Sequence, residues 1–108
     1  MRRRYSLKKK TRSVILKKIK DLLAAKKEIS FAYVHGSFLD GETFSDIDIA
    51  VYLSPMPAGT ESMYYEFALE NAIEEKTGYP VDVRIINKAP LSFRFSVLRN
   101  GKCILEKD

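Results

Sequence analysis

Two aspartates stand at the head of an apolar segment. Asp46 and Asp48 flank Ile47, and the segment continues to Leu53 with side chains typical of a buried strand. Because side chains two positions apart in a strand point to the same face, the two carboxylates should lie side by side. Like charges this close repel unless a cation lies between them, and hard oxygen ligands suit magnesium. The pair therefore indicates a magnesium site at a sheet end.

A third aspartate, Asp82, interrupts the apolar segment from Val81 to Ile86. An uncompensated carboxylate is costly to bury, so we expect Asp82 to face a cleft, a cation or a basic partner. The structural alternative for Asp46 and Asp48 is that short acidic residues begin strands or cap turns, satisfied by backbone N–H groups. That alternative does not predict an aspartate inside an apolar strand, which favours a functional role for all three.

Gly36 and Ser37 follow a first apolar strand, predicted over 31–35. Glycine permits a sharp turn, and Ser37 is predicted to cap a short helix over about 38–41. The amino terminus of a helix presents free N–H groups and partial positive charge to a phosphate. Gly-Ser after a strand also occurs in ordinary turns, so the phosphate prediction depends on the aspartates that follow.

Two further polar side chains stand beside these residues. His35 could act as an acid or base, although a lone histidine at a strand end is more often packed or hydrogen-bonded. By strand alternation, Arg84 shares the face of Asp82. It could contact a triphosphate or an acceptor, or form an ion pair with one of the aspartates.

Strands and helices alternate along the chain. Apolar periodicity and turn residues predict helices over about 11–27, 38–41, 60–77 and after Pro90, and strands over 31–35, 47–53, 81–86 and 102–105. This alternation, without repeats, predicts an α/β domain with a small mixed sheet flanked by helices.

Helical spacing also predicts which side chains are packed. The first helix should pack through Ile15, Ile19, Leu22 and Leu23, the long helix through Tyr65, Ala68, Leu69, Ala72 and Ile73, and the last through Leu91, Phe95 and Leu98. The glutamates of the long helix should form a solvated face, although an acidic surface could meet a basic partner. They are Glu61, Glu66, Glu70, Glu74 and Glu75.

Charge is distributed unevenly along the 108 residues, which carry a net charge of +5. Residues 1–30 contain twelve Lys or Arg and two acids, and the remainder contains seven against twelve. We expect residues 1–10 to be a disordered or loosely attached basic arm and residues 11–108 to form a single domain. The arm could contact nucleic acid or an acidic partner, or be a solvated helix face with a frayed start.

Other features narrow the class of protein. A single cysteine, Cys103, permits no internal disulfide, and with one histidine it makes transition-metal chemistry improbable. No apolar run reaches the roughly 18 residues of a membrane span, and the basic start lacks the apolar stretch of a signal peptide. We therefore expect a cytoplasmic protein without membrane partners.

The chemistry-bearing residues together resemble a known signature. Gly36-Ser37, eight residues, and then 46–51 (Asp-Ile-Asp-Ile-Ala-Val) is similar to the motif of the nucleotidyltransferase superfamily that includes DNA polymerase beta. Asp82 matches the third carboxylate of that family, and 87–106 resembles the family's ending. Within the superfamily the chain looks most like the minimal nucleotidyltransferases (MNT), the antitoxin-type proteins paired with HEPN-domain partners.

The resemblance implies an activity and a set of roles. The activity is magnesium-dependent transfer of AMP from ATP to a hydroxyl of a protein acceptor, a HEPN toxin. Asp46 and Asp48 would coordinate two magnesium ions, and Asp82 would bind the catalytic one and help to activate the hydroxyl. Gly36 and Ser37 would hold the outer phosphates of the nucleoside triphosphate.

The chain departs from the family pattern at two points, and other functions stay open. The interval from Ser37 to Asp46 is a couple of residues short, and Asp40 precedes Gly41 where the family often has arginine. One alternative is a binding module that neutralises its partner by contact, with vestigial aspartates. Another is transfer to a small molecule such as an aminoglycoside, or to RNA through the basic arm, with a homodimer or a partner chain supplying the missing wall.

Overall fold

Four helices and four strands make up the computed structural model, which describes residues 3–107. In chain order they are α1 (Lys9–Ala24), β1 (Ile29–His35), α2 (Ser37–Asp40), β2 (Ile47–Leu53), α3 (Glu61–Thr77), β3 (Val81–Ile85), α4 (Leu91–Asn100) and β4 (Lys102–Glu106). The strands form one sheet in the order β3-β2-β1-β4. Strand β1 is antiparallel to β2 and β4, whereas β2 and β3 are parallel. The predicted small mixed sheet flanked by helices is confirmed.

One face of the sheet carries the main core. Alternate residues of β2, from Ile47 through Ile49 and Val51 to Leu53, are at most 1% exposed. They pack against Ile19 and other buried side chains of α1 and α3. Removing these aliphatic side chains from water is the largest favourable contribution to folding, and it fixes the register of the strands because a slip by one residue would expose them.

The opposite face is only partly covered, by α4. Ala50, Ile86 and Val97 form a small second cluster with Phe31, Tyr33 and Phe93. The sequence predicts that α4 packs through Leu91, Phe95 and Leu98, and this is wrong because all three side chains are exposed. Helix α4 has two apolar faces, and the sheet selects the face that contains Phe93 and Val97.

The outer edge of β3 is closed by glutamates of α3. The backbone N–H groups of Val81, Val83 and Ile85 donate to carboxylate oxygens of three glutamates, at 2.8–2.9 Å. Their acceptors are Glu74, Glu70 and Glu66, respectively. Four helical residues rise about 6 Å and two strand residues about 6.6 Å, so an antiparallel helix can match every second strand residue. The predicted solvated glutamate face is therefore wrong for these three residues.

The basic amino-terminal segment is attached to the domain over its described part. Tyr5 and Phe44 exchange backbone hydrogen bonds of 2.8 and 3.0 Å. The Arg4 guanidinium donates to the hydroxyl and the carbonyl of Thr43. The sequence predicts disorder or loose attachment here, but Tyr5 also packs its ring against Phe44 and Tyr79, which supplies the apolar contact that composition alone does not reveal. Residues 1 and 2 lie outside the described part.

The element boundaries follow the predictions closely, and β2 begins and ends as expected. Helix α3 ends at Gly78, whose φ of 83° is the left-handed conformation that favours glycine. Strand β4 lies at a sheet edge as predicted. Among residues 3–107, no helix is both long and apolar enough to cross a membrane.

Candidate active site

Three polar residues lie in a row across the sheet. Asp48 of β2 pairs with His35 of antiparallel β1 on one side and with Asp82 of parallel β3 on the other. Residues directly opposite each other on neighbouring strands share a face, and the strands are about 4.8 Å apart. The Asp48 and Asp82 carboxylates therefore stand on the incompletely covered face. Asp46 precedes the first residue of β2 by one position and is half-buried.

Gly36 lies directly against Asp48. Its φ of 77° is a left-handed conformation that side chains disfavour, and a Cβ atom at this position would collide with Asp48 Oδ2. The turn after β1 can therefore pass beside the carboxylate only because position 36 is glycine. This contact brings together the two parts of the motif, which are separated by eight residues in the sequence.

Ser37 begins helix α2 but does not cap it as predicted. Gly36 occupies the N-cap position, without a side-chain hydrogen bond, and its carbonyl accepts from the N–H groups of Leu39 and Asp40. The helix starts one residue earlier than expected because the left-handed glycine makes the turn. Ser37 is thus the first residue of the helix, and its side chain does not serve as the cap.

Arg12 stabilises the loop between Ser37 and Asp46 through hydrogen bonds. Its guanidinium donates to the carbonyls of Phe38, Gly41 and Glu42 at 2.8 Å and to that of Leu7 at 3.0 Å. It also lies 5.6 and 5.3 Å from the ring centres of Phe38 and Phe44. One α1 side chain therefore fixes the short loop and brings positive charge to the neighbourhood of Asp40, which is exposed.

The His35 side chain packs against a neighbouring aromatic ring. Its ring meets Phe93 edge to face at 5.6 Å, and its buried Nε2 has no hydrogen-bond partner among the described residues. Burial lowers the pKa of His35 because it disfavours the imidazolium; the nearby Arg84 acts in the same direction and Asp82 opposes it. The neutral form of the imidazole is therefore favoured.

Charged side chains outside this row lie near Asp82. The Arg84 guanidinium lies over the Phe93 ring at 5.3 Å, on the same side of the sheet. Burial raises the pKa of Glu70; its hydrogen bond from Val83 counteracts this, and the negative charges of Asp82, Glu74 and Glu66 add to it. Carboxylates of α3 and β3 are thus close enough at this edge of the sheet to influence one another.

The donor chemistry fits magnesium, since carboxylate oxygens are the ligands that this ion prefers. Asp48 and Asp82 are adjacent, and Asp46 is two residues from Asp48 in sequence. Within residues 3–107, no three His, Cys, Asp or Glu side chains are already gathered as a metal-holding group. The backbone therefore brings two candidate ligands together without a preassembled three-ligand cage.

Two features of the site are not evident from sequence motifs. Arg12 is one of many basic residues in the amino-terminal region, and nothing in its neighbours marks it as the loop contact. Glu66, Glu70 and Glu74 do carry a signal, because glutamates repeating every fourth residue on a helix that precedes an edge strand could reach alternate N–H groups.

A family model described as "Polymerase beta, Nucleotidyltransferase" matches residues 17–108. No curated protein is similar enough in sequence to give a match.

Several solved structures share the fold. One is a tri-AMPylated HEPN toxin from Shewanella oneidensis in complex with an MNT antitoxin, with TM-score 0.71 and 22% identity, over 89% of this chain and 73% of that chain. A toxin–antitoxin structure with AMP-PNP gives TM-score 0.72 and 23% identity, over 86% and 74%. The MntA–HepT toxin–antitoxin structure gives 0.63 and 19%, over 93% and 74%.

These structural matches are below 25% identity and establish the fold. The family model is the stronger finding, since it spans the Gly36-Ser37 turn, the Asp46 and Asp48 pair and Asp82 in one continuous match. The chain therefore belongs to the polymerase beta nucleotidyltransferase family.

Proposed function

We propose that this protein transfers AMP from ATP to a hydroxyl group of a HEPN-domain protein. The observation that carries the proposal is the register of β2 and β3, which sets Asp48 beside Asp82 while Gly36 lies against Asp48. Nucleotidyl transfer needs carboxylates next to a phosphate-binding turn, and the closeness of Gly36, Asp48 and Asp82 supports assigning these roles to them.

The turn after β1 would hold the triphosphate. Gly36 has no side chain to block a phosphate oxygen, and the N–H groups at the start of α2 can donate to it. Arg12 keeps the following loop in place through its bonds to carbonyl groups. These contacts would orient the outer phosphates so that the α-phosphorus faces the carboxylate row.

The aspartates would act on the reacting atoms. Asp46, Asp48 and Asp82 would hold magnesium, and the bound metal would neutralise the triphosphate and lower the pKa of the attacking hydroxyl. The acceptor oxygen bonds to the α-phosphorus, the bond from that phosphorus to pyrophosphate breaks, and the hydroxyl proton passes to the Asp82 carboxylate. No serine or cysteine nucleophile is required.

The acceptor assignment is supported by the matched structures. One contains a tri-AMPylated HEPN toxin bound to an MNT antitoxin, and another a toxin–antitoxin pair with AMP-PNP. We assign a HEPN toxin as the partner of this chain as well, and its AMP modification as the antitoxin activity.

Radioactive ATP labelled at either the α- or the γ-phosphate tests the reaction. With magnesium and the candidate HEPN partner, the α-label should appear on the partner and the γ-label should leave in pyrophosphate. The Asp46→Asn/Asp48→Asn variant serves as the control and should transfer neither. Transfer of the γ-label to the partner would indicate phosphoryl transfer and refute the proposal.

A second candidate is a binding module that neutralises its partner by contact alone. The absence of a preassembled metal-holding group among the described residues favours it, as does the acidic Asp40 beside the phosphate loop. It predicts that Asp46→Asn/Asp48→Asn neutralises the toxin as well as the wild type does. The AMP-transfer proposal predicts loss of that neutralisation.

A further inference from the structure

Helix α4 exposes an apolar stripe that the domain does not use. Leu91, Phe95 and Leu98 are 76%, 63% and 50% exposed. On its other side, Val97 is buried and Phe93 packs on the sheet. The exposed side chains are therefore additional to those that attach the helix, and leaving them in water has no benefit for this chain alone.

The spacing of the stripe suits a helical partner. Its three residues are four and three positions apart, which places them in one line along the helix. At about 100° per residue, Arg94 lies to one side of this line and Arg99 to the other. The Arg99 guanidinium is 5.8 Å from the Phe95 ring centre, and the stripe lines a shallow concavity of about 590 Å³.

The chain segment that contains the stripe is basic. From Val83 to Leu105 the chain contains no Asp or Glu, and its charged residues are Arg84, Lys88, Arg94, Arg99 and Lys102. A partner segment with acidic residues beside apolar ones would complement both the stripe and its rim. Nucleic acid is a poorer match, because Leu91 and Leu98 offer no flat surface for stacking a base.

The helix that carries the stripe also contacts the candidate active site. Phe93, on the inner face of α4, contacts His35, which pairs with Asp48, and it lies under the Arg84 guanidinium. Helix α4 therefore connects the stripe on its outer face with the site residues that Phe93 contacts on its inner face.

We infer that the exposed stripe of α4 docks an acidic amphipathic helix of the acceptor protein and so presents its hydroxyl to the site. This inference rests on the proposed function and adds the surface by which the acceptor is recognised. Leu91, Phe95 and Leu98 supply the apolar contact, and Arg94 and Arg99 select acidic residues on either side of it.

The test compares two phenylalanines with equal exposure. Phe95 and Phe67 are both 63% exposed, but Phe67 lies on α3, whose glutamates would repel an acidic segment. Calorimetric titration of the candidate HEPN partner into Phe95→Ala should show binding weakened about tenfold or more, as for a central apolar contact. Phe67→Ala should bind like the wild type. Because this titration contains no nucleotide, its result is independent of whether AMP is transferred.

Kinetics provide a second readout. Phe95→Ala should raise the KM for the acceptor and leave the affinity for ATP unchanged, and Arg99→Glu should weaken binding most at low salt. Equal binding by the wild type and Phe95→Ala would overturn the inference. So would Phe95-dependent binding to phosphatidylglycerol vesicles or single-stranded RNA with the affinity for the HEPN partner unchanged.

Discussion

Strand β2 presents different surfaces to the two sides of the sheet. Ile47, Ile49 and Val51 point into the core and are fully buried. Asp48, between them, points to the other face, beside Gly36 and Asp82. The same seven residues therefore serve both folding and the proposed chemistry, and strand alternation keeps the two apart.

This separation implies that the two faces respond differently to substitution. Changes on the buried face should lower the free energy of unfolding. They should not alter the rate of AMP transfer by the molecules that remain folded. Changes on the face that carries Asp48 and Asp82 should strongly reduce transfer by molecules that are fully folded.

Asp48→Asn should give the largest effect. The isosteric amide removes a negative charge from the row, so the rate of AMP transfer should fall about 10²- to 10³-fold, as for loss of one preorganised electrostatic group. Thermal unfolding of the variant checks that it is folded. Transfer at the wild-type rate would show that Asp48 takes no part in the reaction.

Ile49→Ala addresses the opposite face. Ile49 is fully buried, so truncation should lower the free energy of unfolding by about 2–5 kcal/mol, measured by urea denaturation. Ile49→Val is the graded control and should cost about 0.5–1.5 kcal/mol. The rate of transfer per folded molecule should be retained by both, and a rate that falls with Ile49→Val despite full folding would show that the faces are coupled.

Gly36→Ala places strain and a clash at the point where the turn meets Asp48. It should lower the free energy of unfolding by about 1–3 kcal/mol and also reduce ATP affinity, since the turn must move. Gly59→Ala is a matched control, because Gly59 also has a positive φ, of 57°, but has open space where a Cβ atom would lie. A similar ATP affinity for both variants would contradict the assignment of Gly36 to the nucleotide site.

Substitution of Glu70 tests the hydrogen bonds that close the edge of β3. Smaller changes in the free energy of unfolding are expected here. Glu70→Ala leaves the Val83 N–H without its acceptor and should cost about 1 kcal/mol, whereas the exposed Glu75→Ala should change stability by no more than about 0.5 kcal/mol. Denaturation of the wild type and the two variants at neutral pH measures these changes in the free energy of unfolding. Equal losses at both positions would mean that the edge bond contributes nothing.

The pH dependence of Glu70 has a defined sign. Its pKa is raised on folding by burial, so the folded state binds the proton more tightly than the unfolded state. Stability from this group is therefore highest below the ordinary carboxylate pKa of 4.5 and falls as the pH rises through the raised value. Glu70→Gln keeps an acceptor and lacks the charge, so it should flatten that fall; an identical pH profile would refute the assignment.

The sequence predicts the parts of this structure that depend on local pattern. The first and last residues of β2 are predicted correctly, because its apolar alternation is followed by prolines that cannot join the sheet. The alternation of strands and helices likewise predicts the mixed sheet. The Gly36 turn and the three aspartates could be singled out by residue type, although their roles remain proposals.

Other parts depend on contacts that local pattern does not contain. Helix α4 has two apolar faces, so spacing alone selects Leu91, Phe95 and Leu98, whereas the sheet buries Val97. The bonds from Arg12 to the loop carbonyls join positions about 30 residues apart. The attachment of Tyr5 to Phe44 is similar, since a strand pairing of one residue leaves no periodicity.

Intact-protein mass spectrometry of the candidate HEPN partner tests directly whether this protein transfers AMP to it. After incubation with ATP, magnesium and the wild-type protein, the partner should gain the mass of one or more AMP groups. The Asp48→Asn variant, folded to the same extent and binding the partner equally, should leave the mass unchanged. An unmodified partner in a stable wild-type complex, or equal modification by both proteins, would contradict the assignment of chemistry to the carboxylate face.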